Sequence, residues 1–404
     1  MKHYYFWTVV TLIFTVELYS LLPVRKELGA SEKIESTGDI LSGVIHVHSN
    51  FSDGGGTPEE IAKSANDAGL DFVILTDHNN YEARKRGLEG TYGKTDLFVE
   101  MESSTPVGHA ISFFSQSEQL KNASPQTIID ASYRQFLKKE SHSGLFVAVA
   151  HPSNIKNPWG RLDDFAEGLE VVNFDSGWQR QASESPLQFL LTLAVYPFNS
   201  FLSSLRFLEI YPKDFGAWDE MTSRGPGHFA YLAHDTHAKI KINNERSISW
   251  PGYLQTFKLA SNLVFLKEPK SNNFSKRRSQ LYESLLKGRS AIHYRATYPY
   301  LNNQWRVKCG SSEYSPGDVL NSVLGCQAII RTPSTPFVKI IRLIKDGEIM
   351  NEVPVSGSAV DTVSLKMNGP GTYRVEVWAK LHTALRLTLN RLAPYVFYSP
   401  IYLQ

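Results

Sequence analysis

Apolar runs of strand length recur along the first half of the chain, at Val44–His48, Phe72–Thr76, Leu97–Met101, Leu145–Ala150, Leu169–Phe174 and Phe229–Ala233. Helix signals stand between them. Thr57-Pro58-Glu59-Glu60 combines an N-cap residue, a first-turn proline and a capping-box glutamate, and Gly69 stops that helix. Ser124-Pro125 opens a second helix, and Gly144 lies just past its end. Strands alternating with helices predict an α/β fold with a largely parallel sheet or barrel.

The rhythm breaks twice. Residues 178–226 carry an apolar and aromatic stretch, Pro186 to Leu208, interrupted by Pro197. It reads first as helical packing around a barrel, with a cover over a site or contact with a membrane surface as alternatives. From about Asn303 the character turns to β. Phe337–Lys345 and Met350–Val355 flank Asp346-Gly347, a hairpin signal, and Asn368-Gly369-Pro370-Gly371 turns the chain into Thr372–Trp378. Tyr373, Val375 and Val377 alternate there with polar residues, and a small β-sandwich is predicted. The expected division is a catalytic domain over 42–302 and a β-sandwich over 303–404, behind a polar linker at 27–41.

Ahead of the linker, Tyr4–Val24 is apolar except for Glu17, with Lys2 and His3 before it and Arg25 and Lys26 after it. That is the length of a membrane span and the charged start of an export signal. Residues 1–26 are therefore expected to be a signal peptide or signal-anchor helix. An anchor is preferred because Leu18 and Ser20 make a poor cleavage site; a buried core helix is the alternative that Glu17 keeps open. The expectation is a cell-envelope protein, extracytoplasmic and membrane-anchored through residues 4–24. Cys309 and Cys326 permit a disulfide suited to such a compartment, or two buried thiols; the pair alone does not decide.

A chain of 404 residues with 42% hydrophobic and 20% charged residues can build ordinary cores. Its net charge of +2 gives no signal for binding nucleic acid through bulk charge. The placement of the histidines changes the picture more. In Ile45-His46-Val47-His48 the two imidazoles share one strand face, and Asp53, in the Gly-rich loop beyond, can turn back to the same place. Phe72–Thr76 delivers Asp77-His78, with His78 as a ligand type and Asp77 as its supporting partner. Glu100 and Glu102 fall on one strand face, so periodicity does not separate them, and His109 opens the next apolar run. His151 ends Leu145–Ala150, and Asp235 and His237 follow Phe229–Ala233 on one face while His234 points away.

Each histidine alone is most simply a structural residue. Six at or just beyond strand ends, with Asp53, Glu102 and Asp235, point to a joint metal site, because C-terminal strand ends of a parallel barrel converge on one mouth. Imidazole and carboxylate donors without thiolates suit Zn, Mn or Fe.

These stretches, in this order, resemble the PHP superfamily, named after its polymerase and histidinol phosphatase members. The likeness runs from about 43 to 300, its final part weakly. The β-rich end, near Tyr398-Ser399-Pro400-Ile401-Tyr402, looks like the CehA/McbA-type branch, whose members include carbaryl-hydrolase-like proteins. The resemblance implies a distorted (β/α)7 barrel with a trinuclear centre, and two or three divalent metal ions are the expected cofactors. On that pattern His46, His48, Glu102 and Asp235 hold one ion and Asp53, His78 and His237 a second. Glu102 bridges to a third held by His109 and His151. Glu102 is preferred over Glu100 because Glu-x-x-Thr-Pro-x-Gly-His fits the branch's spacing. Ala233-His234 departs from the small or hydroxyl residues usual before the aspartate, which puts the shape of the pocket floor in doubt.

The expected reaction is hydrolysis by a metal-activated water, with Asp235 and His237 as candidate proton-transfer groups. Clustered cations best match a small phosphoester substrate. Ester, carbamate or amide hydrolysis, and a non-catalytic metal-stabilised envelope binding protein, are the alternatives.

Overall fold

The structure, a computed structural model, describes residues 4–12, 15, 40–138, 142–159, 166–197, 200–241, 247–297, 304–321, 325–335, 337–357, 360–380 and 392–404. Seven strands form its centre: β1 (Ile40–Val47), β2 (Phe72–Leu75), β3 (Thr95–Val99, resuming after Glu100 as Met101–Thr105), β4 (Gly108–Phe113), β5 (Phe146–Val149), β6 (Gly168–Asn173) and β7 (Phe229–Thr236). β1 pairs parallel with β2 and with β7, β2 with β3, β5 with β6 and β6 with β7. β4 runs antiparallel to both β3 and β5, and the circle closes. The mixed α/β class stands, with one strand reversed.

Alternation along these strands sorts two apolar layers. Ile45, Ile74, Phe98, Ile111, Ala148 and Tyr231 fill the barrel. Val44, Val47, Val73, Leu75, Val147 and Leu232 face outward against the helices α1 (Pro58–Asp67) and α2 (Pro125–Lys138), among them Ile61, Ala65, Ile128 and Phe136. Complete burial of one such side chain contributes on the order of 2 kcal/mol. The predicted capping box is present: Glu60 N–H donates to Thr57 Oγ1 at 3.3 Å and Thr57 N–H to the Glu60 carboxylate at 2.9 Å. Gly69, at φ +73°, ends that first helix in the left-handed region that glycine tolerates.

β1 also forks. Its first half, Ile40–Gly43, pairs antiparallel with β8 (Ser261–Phe265), which pairs with β9 (Ser290–His293). The strands of the C-terminal region include β10 (Gln304–Cys309), β11 (Ser312–Tyr314), β12 (Cys326–Thr332), β13 (Val338–Lys345), β14 (Glu348–Val355), β15 (Asp361–Lys366), β16 (Gly371–Lys380) and β17 (Leu392–Tyr398). β9 pairs with β17, β17 with β16, β16 with β13 and β13 with β14. A separate sheet runs β11-β10-β12-β15, and Leu263, Ala291, Trp305, Ile330, Leu343 and Val375 share the apolar layer that joins the two. Sheet pairing therefore crosses the division drawn at 302/303. Asp346 (φ +51°) and Gly347 (φ +86°) make the β13–β14 turn with both central residues left-handed, as a type I′ hairpin requires. Cys309 and Cys326, directly opposite across β10 and β12, form a disulfide.

Residues 4–12 are helical, with Tyr4, Tyr5, Phe6 and Trp7 exposed. Among the described residues no helix is long and apolar enough to cross a membrane. Most of the remainder of the Tyr4–Val24 run lies outside the described residues.

Candidate metal centre

At the barrel mouth the backbone departs from regular strand geometry wherever it must turn a donor inward. Ile45 and His46 are neighbours in sequence, yet both side chains enter the barrel, because His46 sits at φ +69° and the β1–β7 register shifts between Ile45 and Val47. His48 then falls on the same side as His46, as alternation predicts. His151 (φ +31°) and Asp235 (φ +49°) repeat the device at the ends of β5 and β7. Left-handed backbone is uncommon for residues other than glycine and costs of order 1–3 kcal/mol, so it persists where surrounding packing enforces it. His109 stands near the start of β4, and because that strand is reversed its first residues lie at the same mouth.

Glu102 is the hub, and it is fully buried. Its Oε1 lies 2.8 Å from His109 Nδ1 and 3.0 Å from His151 Nε2, and its Oε2 lies 2.9 Å from His78 Nδ1 and 3.2 Å from Nε2 of both His46 and His48. Asp235 Oδ1 approaches His48 Nε2 at 3.1 Å and His46 Nε2 at 3.4 Å. Asp53 Oδ2 faces His237 Nε2 at 3.3 Å and His78 Nε2 at 3.6 Å. Four overlapping groups have donor atoms close enough for one ion each: His48, Asp53, His78 and His237; His46, His48 and Glu102; His46, His151 and Asp235; His78, Glu102 and His109. All nine residues singled out in the sequence are brought together. The grouping differs in detail from the one the resemblance implies, since His151 sits with Asp235, and His78 reaches Glu102 as well as Asp53.

Several buried donors here have no hydrogen-bond partner: His46 Nε2, both ring nitrogens of His48, Glu102 Oε2 and His151 Nδ1. Unpaired buried polar atoms are costly, and their convergence fits cation ligands. Electrostatics agrees. Burial pulls the Glu102 carboxyl up, but the charge of His46 and hydrogen bonds from His109 and His151 hold it well below the usual range. Burial likewise depresses His78 and His237. The Asp53 and Glu102 carboxylates nevertheless raise His78 to about 10, and Asp53 and Asp235 raise His237 to about 9. Burial and the neighbouring His237 charge take His48 down to about 4. Protons hold the carboxylates in place where a divalent ion would do so. His237 Nδ1 donates to the Asp235 main-chain oxygen at 2.8 Å, which leaves Nε2 for the centre.

The supporting residues were only partly legible. Among the described residues no hydrogen bond joins the Asp77 carboxylate to His78. Asp77 accepts from Ser49 N–H at 2.8 Å and from the Ser49 and Ser52 hydroxyls at 2.6 Å each, and so fastens the loop that carries Asp53. Glu100 lies deeper in the barrel, accepting from Phe114 N–H at 2.8 Å, Ser115 N–H at 3.1 Å and Tyr282 O–H at 2.7 Å. His234 packs on Phe257 outside the barrel. Glu170 and Asn173 were missed. Glu170 Oε2 lies 2.9 Å from His46 Nδ1, and the Asn173 amide donates to Glu170 and to Asp235. The available signal was a glutamate inside the apolar run Leu169–Phe174, on the interior parity of β6.

A cavity of about 310 Å³ opens over the donors. Phe174, Trp178, Trp250 and Pro251 supply apolar walls, and Lys156 and Lys239 stand at its edge. Neither lysine forms an ion pair among the described residues. Asp175, on the helix α3 (Phe174–Glu184), faces the same space, and burial and the Asp235 charge push its carboxyl up to about 6.

Comparison with known proteins adds a family match over part of the chain. Residues 45–153 match the family model described as the PHP domain. No curated protein matches the chain. One similar solved structure is a two-domain protein containing a predicted PHP-like metal-dependent phosphoesterase from Bacteroides vulgatus. It is 14% identical, with 90% of this chain and 96% of that chain covered and a TM-score of 0.42. An amidohydrolase from Chromobacterium violaceum with bound sulfate and no metal is 15% identical, covering 52% of this chain and 92% of its own, at a TM-score of 0.25.

Proposed function

We propose, from the PHP domain that this chain carries, that it is a metal-dependent phosphoesterase with a distorted (β/α)7 barrel and a C-terminal β-sandwich of the CehA/McbA type. The observation that carries the metal reading is the set of five imidazole nitrogens within 3.2 Å of the buried Glu102 carboxylate. The ligands are His46, His48, Asp53, His78, Glu102, His109, His151, Asp235 and His237, and they suit two or three ions of Zn, Mn or Fe. When bound, such ions supply Lewis acidity and bring a water's pKa toward neutrality.

The chain's own residues do the rest. Glu102, with an oxygen toward each side of the cluster, fixes the spacing of the two halves. Asp77 keeps Asp53 within reach by fastening its loop. Lys156 and Lys239, which line the cavity and form no ion pair among the described residues, attract an anionic substrate, which favours a phosphoester over a neutral ester, carbamate or amide. Phe174 and Trp178 exclude water from one side. Asp235 and His237 are the candidate proton-transfer groups at the cavity floor, and Asp175 faces the same space.

We place the protein in the cell envelope, small-molecule turnover occurring outside the cytoplasm. The support is the export-type run Tyr4–Val24 and the Cys309–Cys326 disulfide, which persists in oxidising compartments. A reporter fused after Gln404 and active only in the cytoplasm contradicts this placement.

The deciding experiment measures metal content and turnover of the purified protein on a panel of phosphomonoesters, phosphodiesters, carboxylesters and carbamates. Two or three equivalents of metal and chelator-sensitive phosphoester hydrolysis are expected. Turnover confined to uncharged esters overturns the substrate class, and a metal-loaded protein inert on every member favours a binding role.

A further inference from the structure

We infer that Glu170 and Asn173, at the end of β6, are positioning residues. Glu170 sets the tautomer of His46, and Asn173 ties His46 and Asp235 to the helix that walls the cavity. The inference rests on the metal-centre reading above and concerns how the ligands are aimed.

His46 has two ring nitrogens with different surroundings. Nδ1 lies 2.9 Å from Glu170 Oε2, while Nε2 faces Glu102 and Asp235 and has no hydrogen-bond partner. A histidine that ligates a cation is neutral and carries one proton, and a carboxylate behind it accepts that proton's hydrogen bond. The proton therefore belongs on Nδ1, and the Nε2 lone pair is left for the centre. A carboxylate behind a ligating histidine also raises its basicity and fixes its ring plane. Glu170 is 1% exposed, so bulk solvent does not compete for this role.

Asn173 reads unambiguously from its neighbours. Its Oδ1 accepts from Ser176 N–H at 2.7 Å, which is the N-cap bond of α3. Its amide nitrogen must then be the atom facing two carboxylates, Glu170 Oε1 and Asp235 Oδ2, the latter at 3.2 Å. One side chain thus holds the carboxylate behind His46, a candidate ligand, and the start of the helix bearing Phe174, Asp175, Trp178 and Gln179, all of which line the cavity. Capping alone needs only the oxygen. The nitrogen's two partners are what capping does not explain.

That difference supplies the test. Asn173→Asp retains an N-cap acceptor, and aspartate caps as well as asparagine, but it removes the donor and sets a third carboxylate between two others. Glu170→Gln keeps the shape while leaving one acceptor oxygen for donors that approach from both His46 and Asn173. The probe is Co2+ alone, titrated into metal-free full-length protein. The readings are its visible absorption, its affinity by chelator competition, and far-ultraviolet circular dichroism. Both variants are expected to bind Co2+ at least about 10-fold more weakly, the scale of lost support behind a ligand, with altered ligand-field bands and unchanged dichroism. Glu170→Asp should recover part of the loss. Should Asn173→Asp fail to fold, Glu170→Gln decides alone. Affinity and spectra equal to or better than wild type overturn the inference and leave the metal reading intact. A wild-type chain that binds no Co2+ overturns both.

Discussion

Glu100 and Glu102 are two residues apart, both buried within the barrel, and have unrelated surroundings. Sequence periodicity gives them one face and goes no further. Depth separates them: Glu102 meets imidazoles at the mouth, and Glu100 meets two backbone N–H groups and the Tyr282 hydroxyl below. Glu102→Gln should lower both metal content and turnover by at least about 10-fold. Glu100→Gln should keep metal content near wild type but cost about 1–3 kcal/mol of stability, since a full set of acceptor oxygens is needed there. Metal analysis beside chemical denaturation reads both, and the reverse ranking would move the hub to Glu100. The histidines were legible because strand ends are; the left-handed kinks at His46, His151 and Asp235 were not, because no residue type announces them. The same residues set a pH dependence. In metal-free protein, His78 and His237 stay protonated up to about 10 and about 9, held by the Asp53, Glu102 and Asp235 carboxylates against the opposing effect of burial. Folded values above the unfolded 6.5 mean that their stabilising effect is complete below pH 6.5 and is lost as pH rises through 9 to 10. Metal must displace these protons, so apparent affinity should climb between pH 7 and 9 with proton release on binding. Calorimetry in buffers of different ionisation enthalpy measures that release; pH-independent affinity across this window would contradict it.

Among the elements, the loop from Ser49 to Gly56 shows how local sequence becomes function. Asp53 is half exposed and reaches the centre only because Asp77 fastens the loop and the loop turns tightly against β1. Gly54 permits that turn: a Cβ there would come 2.3 Å from the His48 carbonyl oxygen, which is backbone and cannot yield. Gly54→Ala should therefore displace Asp53 and weaken the His48-Asp53-His78-His237 group. The following helix, with its own capping box, should remain formed. Substoichiometric metal with unchanged helical dichroism is the expected result; full occupancy would show that the loop can shift as a unit. Helix starts were readable from Thr57-Pro58-Glu59-Glu60 because capping is local chemistry. The reversal of β4 was not, since a two-residue turn through Pro106-Val107 looks like any loop until its partner strand is known.

Across the whole molecule, the β character after residue 303 was plain in the alternation of Tyr373, Val375 and Val377, but the connection to the barrel was hidden. β8 and β9 lie within the first 302 residues, yet β9 pairs with β17, and Leu263 and Ala291 are buried with Trp305, Ile330 and Val375. Phe397 packs at 5.7 Å, edge to face, on Phe215, and Arg374 bonds Asp219 at 2.9 Å. Such pairings depend on contacts a hundred residues apart, which local pattern cannot report. They carry a consequence for cooperativity. The Cys309–Cys326 bridge lies in the separate four-stranded sheet and closes a short loop, its ends 17 residues apart. The chain-entropy account assigns such a loop about 3 kcal/mol. If the two regions unfolded separately, replacing both cysteines by serine would lower one transition and leave metal retention untouched. A shared apolar layer and a continuous sheet should instead make unfolding a single event. The double variant should then lose about 3 kcal/mol in a transition that coincides with metal release. Tryptophan fluorescence, dichroism and a metal-sensitive dye followed in one denaturant titration measure this. Coincident midpoints, all moved to lower denaturant, are the expected outcome. A metal-release midpoint that stays at the wild-type value while the others move would show the two regions to be independent.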